Sequence, residues 1–221
     1  MTRIAYPEID LINIKTVFLD IDDTLYLYTP CHEYAIDYCA KQFIISQLSN
    51  ITELEFKKLY KKYRVDVTNR LSPQGICRSR LAAFIEMFEF LNIKDSYNHA
   101  LYFSKLYWDT LISQIKIEHD ALCFIEKIYS LGIKMVAVTD MTTEEQIMKL
   151  NHMDVSKYIQ YIVTSEIAGA EKPDKKIFEY ALNISNSKIS NTIMIGDSLL
   201  KDGEGARNMG IPFYHVSIIN E

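Results

Sequence analysis

The chain reads as an α/β protein, a three-layer core on a parallel sheet, interrupted early by an all-helical insertion. Three observations carry that reading. Over residues 1–26 and 116–221, short β-rich runs alternate with amphipathic helical stretches. That is the pattern of strand–helix–strand units, whose right-handed crossovers build parallel sheets. Residues 27–115 instead carry apolar residues at helical spacing throughout. Charge divides at the same places: the helical stretch holds 11 basic and 9 acidic residues, net +2, and the remainder nets −7. A length of 221 residues accommodates one sizeable core with a smaller inserted domain.

Taken in order, the first core strand is expected over Thr16–Ile21, where an apolar run ends in acidic residues. The insertion follows as helices over 31–48, 52–64, 76–91 and 95–113. Leu81, Phe84, Ile85, Phe88 and Leu91 mark one buried face, and breaks fall near Ser49-Asn50, Ser72-Pro73 and Asn92. Further strands are expected at Ile133–Thr139, Ile159–Thr164, Thr192–Ile195 and Phe213–Val216. Core helices are expected over 119–131, 143–151, 174–183 and about 202–209. Thr142-x-x-Glu145 has the form of a capping box, and Pro173 suits the first position of the helix after it. Gly203, Gly205 and Gly210 look like close packing at a helix.

Composition narrows the function classes. Hydrophobic residues at 48% and charged residues at 24% describe an ordinary globular chain rather than a disordered one. A net charge of −5 argues against nucleic acid as the main partner. No apolar run approaches the roughly 20 residues of a membrane span, and residues 1–10 lack the apolar region of a signal peptide. Cys31, Cys39, Cys77 and Cys123 form no C-x-x-C pair and read as reduced, mostly buried thiols. The expectation is a soluble cytoplasmic protein without membrane or nucleic-acid partners.

The chemistry lies just past the strand ends, where open parallel sheets bind ligands. Val17, Phe18 and Leu19 deliver Asp20 and Asp22, which share one side of a strand at i and i+2, and Thr24 follows. Two such carboxylates cannot both ionise cheaply without a cation or a shared proton. The second strand ends in Thr139-Asp140. Lys172 stands in the Gly-Ala-Glu-Lys-Pro loop after the third, and Gly196-Asp197-Ser198 follows the fourth, with Asp202 beyond. Rival motifs fail on detail. Gly196-Asp197-Ser198-Leu199 spells a GDSL esterase signature, but Pro212 stands three residues before His215, the only later histidine, where that family expects aspartate. An EF-hand from Asp20 would need Gly and Glu where Leu25 and Cys31 stand. His32, His99, His119, His152 and His215 have no zinc spacing.

The ordered set D-x-D-x-T, Val-Thr-Asp, Glu-Lys-Pro and Gly-Asp-Ser-x-x-x-Asp resembles the haloacid dehalogenase (HAD) superfamily, a Rossmann-like fold. The helical block resembles the cap of its C1-type members. The resemblance implies a phosphoryl-accepting nucleophile at Asp20 and an acid/base at Asp22. It gives Thr139 and the Asp140 amide to the phosphoryl oxygens, with Lys172 offsetting charge. Mg2+ would be held by Asp20, the Asp22 carbonyl and Asp197, supported by Asp202. Dehalogenases of the superfamily lack the second carboxylate, so Asp22 favours phosphate esters. Two departures are Asp23, where Gly is common, a variant of nucleotidase-like members, and the missing Pro-Gly near Glu118-His119-Asp120.

Charge agrees with that implication. Asp20, Asp22, Asp197 and Asp202 facing Lys172 would leave the site near −3, repelling a phosphate dianion unless a hard divalent cation reverses the sign. The basic stretch 57–80 is read mainly as a solvated helix face, with Arg78 or Arg80 as candidates to reach substrate. Tyr26 and Tyr28 either stack on a base or sugar or pack in the core, and Trp108 packs within the insertion. The function expected is a Mg2+-dependent phosphomonoesterase for a small phosphometabolite, with a nucleoside 5′-monophosphate as first guess. Alternatives are a mutase of the β-phosphoglucomutase kind and a binding protein with a dormant site.

Overall fold

The computed structural model describes residues 2–220; residues 1 and 221, the ends of the expected core, lie outside the described residues. The chain forms two compact units, Met1–Tyr28 with Ile115–Glu221, and Thr29–Gln114. In chain order it opens with strands β1 (Thr2–Ala5) and β2 (Thr16–Leu19). Helices α1 (Tyr28–Ile45), α2 (Glu53–Leu71), α3 (Arg80–Phe90) and α4 (Ser96–Gln114) follow. Next come α5 (His119–Ser130), β3 (Lys134–Thr139), α6 (Thr143–His152), β4 (Tyr161–Thr164), α7 (Ser165–Ala168) and α8 (Lys175–Ile184). The chain closes with β5 (Thr192–Gly196), α9 (Gly205–Asn208), β6 (Phe213–His215) and β7 (Ser217–Asn220).

The first unit is built on a five-stranded parallel sheet in the order β4-β3-β2-β5-β6. Central β2 is buried along its whole length, which requires apolar residues on both faces, as Val17, Phe18 and Leu19 provide. Phe18, Val136, Val138, Val163 and Met194 pack with Ile177, Phe178 and Ala181 of α8 and Ala206 of α9. The opposite-facing set, Val17, Leu19, Met135, Ala137, Ile193 and Ile195, is equally buried. Helix α5 packs on β3 and buries Ala121, Phe124, Ile125 and Ile128. Each large side chain so buried stabilises by roughly 1.5–3 kcal/mol. Because the strands run parallel, their C-terminal ends share one edge.

Four details depart from the sequence reading. An antiparallel pair, β1 with β7, joins the two ends of the unit; neither four-residue segment announces itself locally. Thr142 does cap α6, but its side chain makes no capping bond. Glu166 Oε2 accepts the Thr143 N–H at 2.8 Å instead. Pro173 is not the first residue of α8, since Asp174 is the cap and its carboxylate accepts from Lys176 N. The expected helix at 202–209 opens as a π-turn over Leu199–Glu204, in which the Ser198 carbonyl accepts from both Asp202 N and Gly203 N.

The second unit is helical. A capping box at Thr52 and Glu55 starts α2. Its core is a cluster of rings, Phe43, Phe56, Phe84, Phe88 and Phe103, with neighbouring centroids 5.0–6.3 Å apart. Trp108 is buried in this unit. So is Arg80, whose guanidinium lies 5.1 Å from the Trp108 ring and 5.3 Å from that of Tyr107. His32 Nδ1 meets the Tyr107 hydroxyl at 2.7 Å. Burial, then Arg80 and Arg64, push the His32 pKa down to about 4.

Two outcomes follow from this packing. Gly→Ala in an exposed helix ordinarily stabilises by about 0.5–1 kcal/mol. At Gly205 an added Cβ would lie 2.3 Å from the buried Phe178 ring, so Gly205→Ala should reverse that sign and lower the melting temperature by the equivalent of about 1–3 kcal/mol. His32 binds its proton more weakly folded than unfolded. The unfolded chain therefore holds more protons between pH 6.5 and about 4, and stability falls as pH drops through that window. Thermal melts across it should show a shallower fall for His32→Gln than for the wild type.

Candidate active site

Motif residues from four strand ends meet at the C-terminal edge of the sheet. Asp20 follows β2 directly, and its N–H donates to the Ile195 carbonyl at 3.0 Å, which ties the start of the loop to β5. Lys172 is buried, and its Nζ donates to Asp20 Oδ1 at 2.7 Å, Asp202 Oδ1 at 2.6 Å and the Val138 carbonyl at 3.0 Å. An ammonium has three protons, so all are committed. Asp202 reaches this point from the π-turn, a distortion common at functional sites, and its Oδ2 accepts from Ser198 N at 3.0 Å. Gly196 is required beneath it, because a Cβ there would lie 2.2 Å from Asp202 Oδ2.

Asp20, Asp197 and Asp202 each offer an oxygen within 4.8 Å of the others. Burial lifts the Asp20 carboxyl well above the ordinary range, with Lys172 opposing and Asp202 and Asp197 adding to the lift. Burial, Asp202 and Asp23 raise Asp197 to about 6, against Lys172. Two buried acids and a half-buried third beside one lysine carry more negative charge than the site neutralises. An all-oxygen set of this kind suits a hard divalent cation.

Asp140 joins two loops: its Oδ1 accepts from Lys172 N at 2.8 Å and its Oδ2 from Lys201 Nζ at 2.5 Å. Thr24 Oγ1 reaches Asp197 Oδ1 at 3.5 Å. The His215 ring meets the Asp197 carbonyl at 2.8 Å, while Ser198 Oγ accepts from Lys201 N. Ser198 and His215 are therefore engaged elsewhere and do not form the pair a serine esterase needs.

Asp22 is held apart from the acidic trio. Lys149 Nζ donates to its Oδ1 at 2.7 Å, the Tyr26 hydroxyl donates to the same oxygen, and Gln146 Nε2 donates to Oδ2 at 3.1 Å. Burial pushes its carboxyl up, but Lys149 and these hydrogen bonds outweigh it, and the result lies below the usual range. The single-lysine count near −3 therefore needs correction. Asp22 is neutralised by Lys149, and the trio with Lys172 carries a formal −2. Tyr26 is also corrected as a substrate-stacking residue: it is fully buried, with its hydroxyl on Asp22. Arg78 and Arg80 belong to the helical unit, where Arg80 Nη1 donates to the Arg78 carbonyl at 2.7 Å.

Gln146, Lys149 and Lys201 escaped the sequence reading. The only local signal for the first two was a polar pair at i and i+3 on the inward side of an amphipathic helix. Asp23, by contrast, is explained by the structure. It sits at φ 55°, where Asp is tolerated better than most residues, and it accepts the Tyr28 N–H at 2.9 Å.

Comparison with known proteins agrees with this geometry. The family model of haloacid dehalogenase-like hydrolases matches residues 14–210. The chain is 27% identical to a ribulose-1,5-bisphosphate 5-phosphatase of Halopiger xanaduensis, over 88% of this chain and 81% of that one. It is 24% identical to a glyceraldehyde 3-phosphate phosphatase of Pyrococcus abyssi, over 90% and 79%. Its fold resembles a 2-haloacid dehalogenase from Pseudomonas syringae pv. Tomato DC3000, with a TM-score of 0.74 and 18% identity over 90% and 85% of the two chains. An acidic site on the strand-end edge of an open α/β sheet, matched by one family model over most of its length, defines the class. The chain belongs to the haloacid dehalogenase-like hydrolases and is an enzyme.

The backbone at Asp23 offers a direct check. Asp23→Gly loses one hydrogen bond but suits the left-handed conformation, whereas Asp23→Val adds roughly 1–2 kcal/mol of backbone strain to that loss. Thermal melting should rank wild type and Asp23→Gly close together, with Asp23→Val clearly below both.

Proposed function

We propose that this hydrolase is a Mg2+-dependent phosphomonoesterase acting on a small phosphorylated metabolite, a sugar phosphate in particular. The observation that carries the reading is the division between Asp20 and Asp22. One carboxylate stands in an acidic trio with Lys172, suited to a cation and to attack. The other is set aside against Lys149 and Gln146, suited to proton exchange. The names of the two relatives support a sugar phosphate. Burial of Tyr26 removes one of the two rings on which the nucleotide expectation leaned.

Asp20 attacks phosphorus, the bond to the ester oxygen breaks, and the phosphoryl group passes to the Asp20 carboxylate. Thr139 Oγ1 accepts from Gln146 Nε2 at 2.8 Å, so its own proton is available to a phosphoryl oxygen, beside the Asp140 amide. Lys172 offsets charge on Asp20 and on the transferring group. Asp22 protonates the leaving oxygen; the incoming phosphate dianion counters the pull of Lys149 and raises its proton affinity. Asp22 then takes a proton from the water that releases phosphate. Asp20, Asp197, Asp202 and the Asp22 carbonyl would hold Mg2+, which supplies positive charge to the phosphoryl oxygens.

Inorganic phosphate release from a panel of sugar phosphates tests the proposal. Chelation with EDTA should abolish release and Mg2+ should restore it. Ca2+ should restore little, because its larger, looser shell misplaces the reacting oxygens. Asp20→Ala should leave no turnover. Full activity after chelation would sink the Mg2+ assignment. Transfer of phosphate between hydroxyls without release would convert the reading to a mutase.

A further inference from the structure

Gln146 and Lys149 both lie on the inward face of α6, three residues apart, so they form one surface of the helix. Both are fully buried. Burying an ammonium is unfavourable unless it is paired, and a surface helix has no structural need of one. Lys149 meets Asp22 Oδ1, and its Nζ lies 5.8 Å from the Tyr26 ring centre and 5.7 Å from that of Tyr28. Gln146 uses both protons of one amide nitrogen, on Asp22 Oδ2 and on Thr139 Oγ1. Its Oε1 is buried without a hydrogen-bond partner among the described residues. An orphaned acceptor of that kind is costly, since it gives up its bonds to water and gains none in return. Simple charge neutralisation of Asp22 would need Lys149 alone and would not explain a glutamine kept at that cost.

A carboxylate offers about four acceptor positions, two on each oxygen. Lys149 and Tyr26 fill both on Oδ1, and Gln146 fills one on Oδ2. One position remains, on Oδ2. We propose that Gln146 and Lys149 are positioning residues that orient Asp22 so that Oδ2 alone exchanges protons during the reaction, in register with Thr139. This rests on the phosphomonoesterase reading. In the first step the proton on Oδ2 passes to the ester oxygen, which keeps the electron pair of the breaking P–O bond. In the second, water gives a proton to Oδ2 as its oxygen bonds phosphorus, and the Asp20–phosphorus bond returns its pair to the carboxylate. The alignment matters in proportion to how much the leaving oxygen needs a proton.

The experiment compares p-nitrophenyl phosphate, phenyl phosphate and a primary alkyl phosphate with the full-length enzyme. Lys149→Met and Gln146→Leu should lower kcat for the alkyl ester by about 10²-fold or more and for p-nitrophenyl phosphate by less than about tenfold, with KM little changed. A purely structural defect would lower all three alike. In an Asp22→Asn background, either substitution should add almost nothing to the loss on the alkyl ester. Should Lys149→Met fail to fold, Gln146→Leu keeps the ion pair intact and carries the same comparison. Equal losses across the three esters, wild-type rates, or full additivity with Asp22→Asn would overturn the positioning role while leaving the phosphatase reading intact. A wild-type enzyme inert on all three esters and on sugar phosphates would overturn both.

Discussion

The ammonium of Lys172 is the interaction on which the site depends. Its three protons are divided among Asp20, Asp202 and the carbonyl of Val138, so one buried cation joins the ends of β2 and β3 to the π-turn after β5. Without it, Asp20 and Asp202 would stand buried and unpaired, and breaking a buried pair by removing one partner typically costs about 3–5 kcal/mol. The backbone around it is shaped accordingly. Gly196 leaves room for Asp202, and Asp140 holds the Lys172 N–H in place from the end of β3.

Charge at the sheet edge is organised as two separate systems. The acidic trio with Lys172 is left negative, and burial first, then repulsion among the acids, raises the carboxyl pKa values of Asp20 and Asp197. Asp22 is handled in the opposite way, with Lys149, Gln146 and Tyr26 surrounding it and favouring its ionised form. Two carboxylates two positions apart thereby acquire different environments, the general device by which one site supports both nucleophilic and proton-transfer roles.

The helical unit has its own internal logic. Tilted and edge-on phenylalanines supply its core, while Arg80 is buried against Tyr107 and Trp108, where a planar, weakly hydrated cation is better accommodated than a lysine. His32 is kept neutral by burial and by the neighbouring arginines. This polar group within an aromatic core was invisible in the apolar periodicity of residues 31–113, which reports only the buried faces.

The amino-acid sequence alone determined the parallel α/β core, the helical insertion, and the gathering of Asp20, Asp22, Thr139, Asp140, Lys172, Asp197 and Asp202 at one edge. Those features rest on local information: apolar runs that can only be central strands, helical spacing between them, and polar residues placed immediately after each run. Tertiary structure decided which partners those residues meet. Lys149 reaches Asp22 across 127 positions of chain, Lys201 reaches Asp140 across 61, and β1 finds β7 at the far end of the same unit. Tyr26 is buried, with its hydroxyl on Asp22. Periodicity states that a side chain faces inward; only the packing of strand against helix determines what lies opposite it, and at this site that determines what each carboxylate can do.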